Sequence, residues 1–451
     1  MFACLKTRAK VCLGVALGFL FVALCLHAQS VFPVAKDPGV RTGPSAAGQP
    51  IAGLGPEEQD LFAYVLGEFN QVFSVSGEVD GEVGNGLGPG YNGTGCAGCH
   101  AFPAVGGSSP AMNPQIAMAT SDGARNLLPS FVKPDGPVVE ARFLHYPDGS
   151  ADGGVHNLFT IAGRTDATGC QAVQPDFNHE LANNNVSLRI ATPTFGDGLI
   201  DNISDETILA NQAADSLTKR YMYIGGHPNR NPNDGTITKF GWKGQNKSLI
   251  MFSGEAYNVE MGVTNELFPS ERNMATGCDF NTLPEDHLEF TDNSGEGGDP
   301  NDVQNFSTFM RFLAPPKPQP DTQAIVSGRN MFNAVGCPLC HTPSLTTGPS
   351  DLPGLDRQQA NLYSDLLVHH MGAGLADGIQ QGNAGPDEFR TAPLWGLGQR
   401  IFFLHDGRTK DLIQAIEAHR GDGAEANTVI FNYDHLQVQQ QQDLLTFLRS
   451  L

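Results

Sequence analysis

"YNGTGCAGCH", residues 91–100, and "FNAVGCPLCH", residues 332–341, share one cysteine and histidine spacing. In a C-x-x-C-H unit the two thiols can add to the two vinyl groups of a porphyrin, and the adjacent histidine then binds the iron as proximal ligand. A zinc site and a thioredoxin-like redox pair are the alternatives, but zinc ribbons need two C-x-x-C pairs close together, and a redox pair does not need the histidine. The spacing therefore predicts two covalent c-type haems, held by Cys96, Cys99 and His100 and by Cys337, Cys340 and His341.

The likeness between the two halves of the chain extends beyond these motifs, which indicates an internal duplication. After the first motif come "RIATPTFGDGL" from Arg189 and "FGWKGQNKSLI" from Phe240. After the second motif come "FRTAPLWGLGQR" from Phe389 and "FLHDGRTKDLI" from Phe403, in the same order. Each half closes on a similar segment, "NFSTFMRFL" ending at Leu313 and "DLLTFLRSL" ending the chain. We interpret each half as one copy of the same folding unit.

Each copy begins and ends with a segment whose apolar residues recur at helical spacing. Residues 57–73 precede the first motif, residues 322–332 precede the second, and residues 438–451 end the chain. A few helices around a porphyrin are typical of a cytochrome c fold. The sequence therefore predicts a mainly α protein with two tandem cytochrome c-like domains, each with one covalent haem, the first enlarged by loop-rich insertions.

The proline-rich segment "APPKPQP", residues 314–320, has the composition of a semi-rigid linker between domains. The domain before it is about twice as long as the domain after it, which is why the insertions are assigned to the first. The predicted organisation is a signal peptide at 1–28, a flexible N-terminal segment at 29–55, an N-terminal cytochrome c-like domain with insertions at 56–313, the linker at 314–320, and a C-terminal cytochrome c-like domain at 321–451.

The N-terminus carries basic residues, an apolar run over residues 11–26 and a small-residue cleavage pattern ending at Ala28, which predict a secretory signal peptide. An uncleaved membrane anchor is the alternative, although the run is shorter than the ~20 residues that a spanning helix needs. No later apolar stretch could cross a bilayer, so we expect a mature protein that is periplasmic or otherwise exported, soluble and not transmembrane. In an exported protein, Cys170 and Cys278 are a disulfide candidate.

The chain is acidic, with a formal net charge of −21. Nucleic acid is not an expected partner, because its binding depends on neutralising phosphates with basic residues. A protein partner is expected to be basic. Solubility alone is the other explanation of the charge.

A family resemblance is carried by the run "YSDLLVHHMGAGLADGIQQG", which continues in "EFRTAPLWGLGQRIFFLHDGRTKDLIQAIEAH", together with "GCAGCHAFPAVGGSSP", "TPTFGDGLID" and "FGWKGQNKSL". Together they closely resemble the bacterial di-haem oxidoreductase family, over nearly the whole mature chain, and the motif order is more distantly similar to that of the di-haem cytochrome c peroxidases. The resemblance implies that a small redox donor protein, a cytochrome c or a cupredoxin, passes electrons through the C-terminal haem to a peroxide-reducing N-terminal haem. It also implies calcium between the domains, near Thr391 and Pro393, and leaves a homodimer open.

The peroxidases contain an Asn-Pro-x-Glu-Met segment whose glutamate moves protons above the N-terminal haem. This chain has "NVEM" at residues 258–261. The resemblance therefore implies that Glu260 is the catalytic acid–base group, since cleavage of a peroxide requires a proton to move from one oxygen to the other. The alternative is a surface or capping glutamate in a loop. Gln245 and Glu255 are weaker candidates for an assisting role.

The peroxidases also place an axial methionine directly before the His-Asp-Gly of the segment that reads "FFLHDGR" here. Leu404 occupies that position, and leucine cannot ligate iron. Met371 is the leading candidate for the sixth ligand of the second haem. A histidine such as His369, or a five-coordinate iron, is the alternative.

The same resemblance implies three further contacts with the cofactors. Trp242 corresponds to a tryptophan between the haems, where it serves as an electron relay or only packs against a porphyrin. His405 and Arg408 are candidate partners of a haem or its propionates, the alternative being that they only form the loop before a helix.

No clear sixth ligand for the first haem stands out in the sequence, and an open iron site admits small molecules. The favoured function is a periplasmic di-haem peroxidase that reduces peroxide with electrons relayed between the two haems. The alternatives are an electron-transfer di-haem cytochrome without peroxidase activity, and a di-haem oxidase or oxygenase that acts on an organic or protein substrate.

Overall fold

The computed structural model describes residues 34–43, 45–91, 93–121, 123, 127–152, 163–270, 275–287 and 300–451. The predicted signal peptide lies outside these residues. The chain divides into a short N-terminal unit, Met1–Lys36, and a large unit, Asp37–Leu451. Of the short unit the structure describes residues 34–36, which form no helix or strand. Everything below concerns the large unit.

The large unit is mainly helical, as the sequence predicted, with a few very small sheets. In chain order the helices before the proline-rich segment are α1 (Pro56–Phe69), α2 (Cys96–Cys99), α3 (Gln115–Ser121), α4 (Phe177–Ala182), α5 (Asp197–Asp201), α6 (Asp205–Ala213), α7 (Ser216–Tyr221), α8 (Leu249–Met261) and α9 (Asp302–Phe312). Those after it are α10 (Gln323–Val335), α11 (Leu412–Glu417), α12 (Asn427–Asp434) and α13 (Val438–Ser450).

The described strands pair in twos, and each pair is antiparallel. They are β1 (Val139–Phe143) with β2 (Val186–Ile190), β3 (Leu345–Thr346) with β4 (Gln359–Ala360), and β5 (Val368–His370) with β6 (Glu388–Arg390). The register sets Val139 opposite Ile190 and Val368 opposite Arg390. These short ribbons turn the chain between helices.

Helix α1 shows how the sequence determines the helical core. Pro56 begins the helix, where its missing N–H costs nothing, and two glutamates occupy the first turn. Phe62, Val65 and Phe69 face inward at helical spacing. The ring of Phe69 lies 4.4 Å from that of Phe309 on α9. The helix ends at Phe69, earlier than the predicted segment, because Phe73 is extended and its N–H donates to the carbonyl of Thr94 at 2.7 Å.

The duplicated segments make the same close contact in both halves of the chain. A Cβ on Gly198 would lie 2.0 Å from the carbonyl oxygen of Arg311, and a Cβ on Gly398 would lie 2.0 Å from that of Arg449. Only glycine therefore fits at either position. The glycines of the two Gly-x-Gly segments therefore allow α9 to pack closely against the first segment and α13 to pack equally closely against the second.

Residues 37–55, part of the segment predicted to be flexible, are tied to the body by hydrogen bonds. Arg41 donates its backbone N–H to Gly398, and Ile51 donates to Phe312, both at 2.7 Å. The carboxylate of Asp37 accepts from the guanidinium of Arg449 at 2.6 and 2.7 Å. This pair joins the start of the large unit to its last helix.

Cys170 and Cys278 form a disulfide, which confirms that candidate pairing. Within the residues that the structure describes, no helix combines the length and the apolar character needed to span a bilayer.

Candidate haem sites

The first C-x-x-C-H motif lines a cavity of about 680 Å³, including its part open to solvent. Cys96 and Cys99 lie one turn apart on α2, and the N–H of His100 donates to the carbonyl of Cys96 at 2.9 Å. Nδ1 of His100 lies 3.1 Å from the carbonyl oxygen of Gly107. A carbonyl only accepts, so Nδ1 carries the proton and Nε2 keeps its lone pair for a metal.

Helix α8 supplies the opposite wall of this cavity and carries Glu260 in its last turn. Ser248 caps its first turn, and Gly262, at φ 76°, ends it with a backbone N–H that donates to Asn258 at 2.8 Å. This local geometry holds Oε2 of Glu260 at 3.7 Å from Nε2 of His100. The glutamate side chain is 41 % exposed, so the carboxylate reaches both the cavity and solvent.

Apart from Glu260, the walls of the first cavity are mostly apolar, as a porphyrin ring requires. The largest of these side chains are Phe69, Phe252, Tyr257, Phe306 and Met310. Gln245 and Glu255 are not part of the lining; their side chains bond to each other at 3.1 Å beside α8.

Cys96, Cys99 and Cys337 of the motifs have the electrostatics of thiols rather than of reactive thiolates. Burial raises the pKa of Cys99 and of Cys337 to about 12. Burial also raises the pKa of Cys96 well above its ordinary value. Redox-active cysteines have lowered pKa values, so this environment does not favour the thioredoxin-like alternative.

The second motif lines a larger cavity, of about 1350 Å³ including its open part. Cys337 lies in a 3-10 turn directly after α10, and Nδ1 of His341 lies 3.0 Å from the carbonyl oxygen of Tyr363. His341 therefore also keeps Nε2 free. Three predicted site residues line the same cavity, namely Trp242, Met371 and His405.

His405 and Trp242 form part of one aromatic wall. The His405 ring stacks on Phe389 with centroids 4.3 Å apart, and Trp242 meets it edge-on at 6.4 Å. Nε1 of Trp242 donates to the carbonyl of Ile190 at 3.0 Å. Burial lowers the pKa of His405 to about 4, so this ring is neutral.

Two of the residues proposed from sequence for the second haem lie differently. Arg408 is exposed and does not line the cavity, because Asp406 and the carbonyl of Gly374 hold its guanidinium outward, each at 2.7 Å. His369 lines the cavity, but both of its nitrogens are engaged. Nε2 lies 3.0 Å from Asp365 and Nδ1 lies 2.7 Å from Glu425. A ring that donates from both nitrogens has no lone pair for iron.

Arg390 and Arg400 line the second cavity, and sequence reasoning did not single them out. Within the described part of the chain, Nη1 of Arg390 is buried without a hydrogen-bond partner. Burial lowers the pKa of both arginines to about 10, which leaves both cationic at neutral pH. Two cations in the cavity wall, one of them with an unpaired N–H, can bind an anion, and the propionates of a haem supply one. The residues present therefore fit this cofactor. Arg390 belongs to the repeated "FRTAPLW" segment, which was the available signal.

Asp197, at the start of α5, lies between the two cavities. It is buried, and burial raises its pKa to about 7, although Arg390 of the second cavity opposes the rise. His100 of the first cavity lowers its pKa as well. Trp395 packs nearby, since a Cβ on Gly196 would lie 2.4 Å from its ring. Asp197 therefore interacts with a residue of each cavity.

Within the described residues, no group of three or more histidine, cysteine or acidic side chains is arranged to hold a metal ion. The calcium expectation near Thr391 and Pro393 stays a prediction.

A family profile described as "Di-haem oxidoreductase, putative peroxidase" matches residues 138–451. The chain belongs to this di-haem oxidoreductase family. The matched region contains Glu260, the second motif and every residue that lines the second cavity, whereas the first motif precedes it. Membership establishes a haem-dependent oxidoreductase and agrees with the resemblance read from the sequence.

Two solved structures are similar to this di-haem oxidoreductase over part of its length. One is hydrazine synthase of Kuenenia stuttgartiensis, at 20% identity over 34% of this chain and 56% of that one, with a TM-score of 0.23. The other is a MauG-like protein associated with microbial copper homeostasis, at 14% identity over 56% of this chain and 91% of that one, with a TM-score of 0.27. The chain thus spans about half of the hydrazine synthase chain. No curated protein matches it.

Proposed function

We propose that the chain is an exported, periplasmic di-haem cytochrome that reduces peroxide. In this proposal residues 56–313 and 321–451 are tandem cytochrome c-like domains joined by the linker 314–320. The equal contacts of Gly198 with Arg311 and of Gly398 with Arg449 support the duplication.

The two haems would be attached through thioethers at the motif cysteines. Half-buried thiols on one short turn can both reach a single porphyrin edge, and each motif has a histidine whose Nδ1 donates to a backbone carbonyl, so that Nε2 carries the lone pair. The proximal ligands would be His100 and His341, and the propionates of the second haem would bind Arg390 and Arg400.

The observation that carries the reaction is the position of Glu260 opposite Nε2 of His100. When bound, the first haem supplies an iron with an open coordination position and the electrons that reduce peroxide. Glu260 would accept the proton from the nearer peroxide oxygen and donate it to the farther one, which leaves as water. The reaction balances as one hydrogen peroxide, two protons and two electrons giving two waters.

The remaining residues of the first site prepare this proton transfer. The aromatic walls limit water in the cavity, which strengthens the interaction of the carboxylate with its substrate. Because 41 % of the Glu260 side chain is exposed, solvent can return the proton that each turnover consumes.

The electrons would come from a small donor protein, a cytochrome c or a cupredoxin, through the second haem. A basic donor surface suits a chain with a net charge of −21. Rates of electron entry should therefore fall as salt is added.

The experiment is a haem count followed by an activity assay on the protein exported with the c-haem maturation system. Pyridine haemochrome spectra and intact mass should show a chain that begins after residue 28 and carries two haems. Replacement of Cys96 and Cys99 by serine should remove one haem and all consumption of hydrogen peroxide. The proposal is wrong if the chain carries no covalent haem, or if the protein with two haems does not consume peroxide in the presence of a reduced cytochrome c.

A further inference from the structure

Helices α8 and α11 begin in the same way, as the duplicated sequence around them requires. Ser248 caps α8 by accepting from the N–H of Met251, and Asp411 caps α11 by accepting from Ile413. The turns before them are matched as well, since Phe240 pairs with Asn246 and Phe403 pairs with Thr409 in equivalent bridges. Leu249 and Leu412, the first residues of the two helices, are both buried. The register of the two copies is therefore fixed at this point.

Seven residues after these leucines, on α8 in the first copy and just past the end of α11 in the second, the copies differ in one chemically important residue. In the first copy the position is Ala256, which lines the first cavity. In the second copy it is His419, which lines the second cavity. Equivalent positions of the two copies therefore place an alanine in the wall of the first cavity and an imidazole in the wall of the second.

The hydrogen bonding of His419 leaves it ready to bind a metal. Its Nδ1 lies 2.7 Å from the carbonyl oxygen of Ala415, so that nitrogen carries the proton and Nε2 has the lone pair. His100 and His341, the two proposed proximal ligands, are oriented in the same way by the carbonyls of Gly107 and Tyr363. Metal-binding histidines commonly donate their second ring nitrogen to such an acceptor.

His419 and the proposed proximal ligand His341 line the same cavity. The other candidates are weaker. His369 has both nitrogens on carboxylates, and Leu404 has no donor atom. Met371 lines the cavity but has no counterpart in the first copy that would fix its role.

We propose that Nε2 of His419 is the sixth ligand of the second haem, and that Ala256 leaves the equivalent position of the first haem open. This inference rests on the proposed function, because it requires a haem on Cys337 and Cys340. It assigns the two haems different tasks: the second is six-coordinate and carries electrons, and the first is free to bind a small substrate. It also gives the second haem an iron ligand in place of the methionine that the related peroxidases have at the position of Leu404.

The test is electron paramagnetic resonance and optical spectroscopy of the full-length oxidised holo-protein and four variants. His419→Gly should convert one low-spin haem to high spin, and added imidazole should restore the low-spin signal. His435→Gly is the matched control, because His435 also bonds through Nδ1 to a carbonyl one turn earlier, Phe431 at 2.7 Å, but is exposed and outside the cavity. Its spectrum should equal that of the wild type.

Met371→Leu tests whether Met371, rather than His419, is the sixth ligand. If this variant loses the low-spin signal while His419→Gly keeps it, Met371 is the ligand and the inference is wrong. A second variant, His419→Met, covers a glycine variant that fails to fold: it should stay low-spin with an altered spectrum and a raised potential. An unaltered spectrum in His419→Met would also overturn the inference. The haem count separates the two proposals, since a chain without haem on Cys337 refutes the proposed function, whereas two haems with an unchanged His419→Gly spectrum refute only this ligand.

Discussion

Oε2 of Glu260 lies 3.7 Å from Nε2 of His100, on the side of the ring that faces the first cavity. No other carboxylate among the described residues lines this cavity. The proposed proton-transfer group and the proposed iron ligand therefore line the same cavity.

Replacing Glu260 by glutamine should lower the kcat for hydrogen peroxide by about 10²–10⁴-fold, the usual effect of removing a general acid–base group. The haem content and the oxidised spectrum should not change, because the amide has the size of the carboxylate. Stopped-flow assays with reduced donor cytochrome measure the effect. Glu255→Gln, on the same helix but outside the cavity lining, should keep wild-type activity. Equal losses in both variants would argue for a structural role.

Ala256→His should close the first site by giving it the imidazole that the second copy has. We expect its high-spin signal to become low-spin and peroxide turnover to fall to the level of Glu260→Gln or below. Val259→His, on the same helix but not in the cavity lining, is the control and should leave both unchanged. A fully active Ala256→His protein would contradict an open first haem.

Arg390→Gln should make the potential of the second haem more negative, because a nearby cation favours the reduced, less positive cofactor. A shift on the order of 59 mV would correspond to a tenfold change in the equilibrium constant of a one-electron couple. Optical redox titration measures it. Arg408→Gln, which removes an exposed guanidinium outside the cavity, should leave the potential in place. If Arg390→Gln and Arg408→Gln shift the potential of the second haem equally, the proposal that Arg390 binds a propionate is wrong.

Asp37→Asn should lower the free energy of unfolding by about 1.5–3 kcal/mol, the range for hydrogen bonds to charged groups. Burial alone would raise the pKa of Asp37, but hydrogen bonds from Arg449, Leu412 and Gly39 outweigh it and hold the pKa below its ordinary value. The stabilisation is therefore complete above the unfolded pKa of about 3.9 and is lost as the pH falls through the lower folded pKa.

Denaturant titrations of the holo-protein, between neutral pH and about pH 3, measure both the loss and its pH dependence. Asp321→Asn provides the comparison, because its pair with Arg329 is exposed and should contribute less to stability than the pair of Asp37 with Arg449. If the two variants lose the same stability at neutral pH, Asp37 does not anchor the last helix.

The sequence predicted much of the site because haem attachment requires residues that are adjacent along the chain. The motif spacing identified both cysteine pairs, and the family resemblance pointed to Glu260, Trp242 and Met371, which line the cavities. The mainly helical class followed from apolar periodicity, and the disulfide followed from cysteine count.

The remaining features depend on side-chain direction, which local sequence does not determine. Arg390 and Arg408 are both arginines in repeated segments, but a neighbouring carboxylate and carbonyl turn Arg408 to solvent, while Arg390 is left buried without a partner at Nη1 among the described residues. His419 could have been found by extending the alignment of the two copies past their matching leucines to Ala256. His369 was a reasonable candidate until the structure placed Asp365 and Glu425 on its two nitrogens.

The most direct test of the account is to half-reduce the wild-type holo-protein, so that only the second haem holds an electron, and mix it with hydrogen peroxide. Rapid-freeze electron paramagnetic resonance and a peroxide assay follow the reaction. We predict a high-spin first haem that reacts, loss of the electron from a low-spin second haem, and consumption of peroxide. Two low-spin haems that remain unchanged while the peroxide persists would contradict the account and leave an electron-transfer cytochrome.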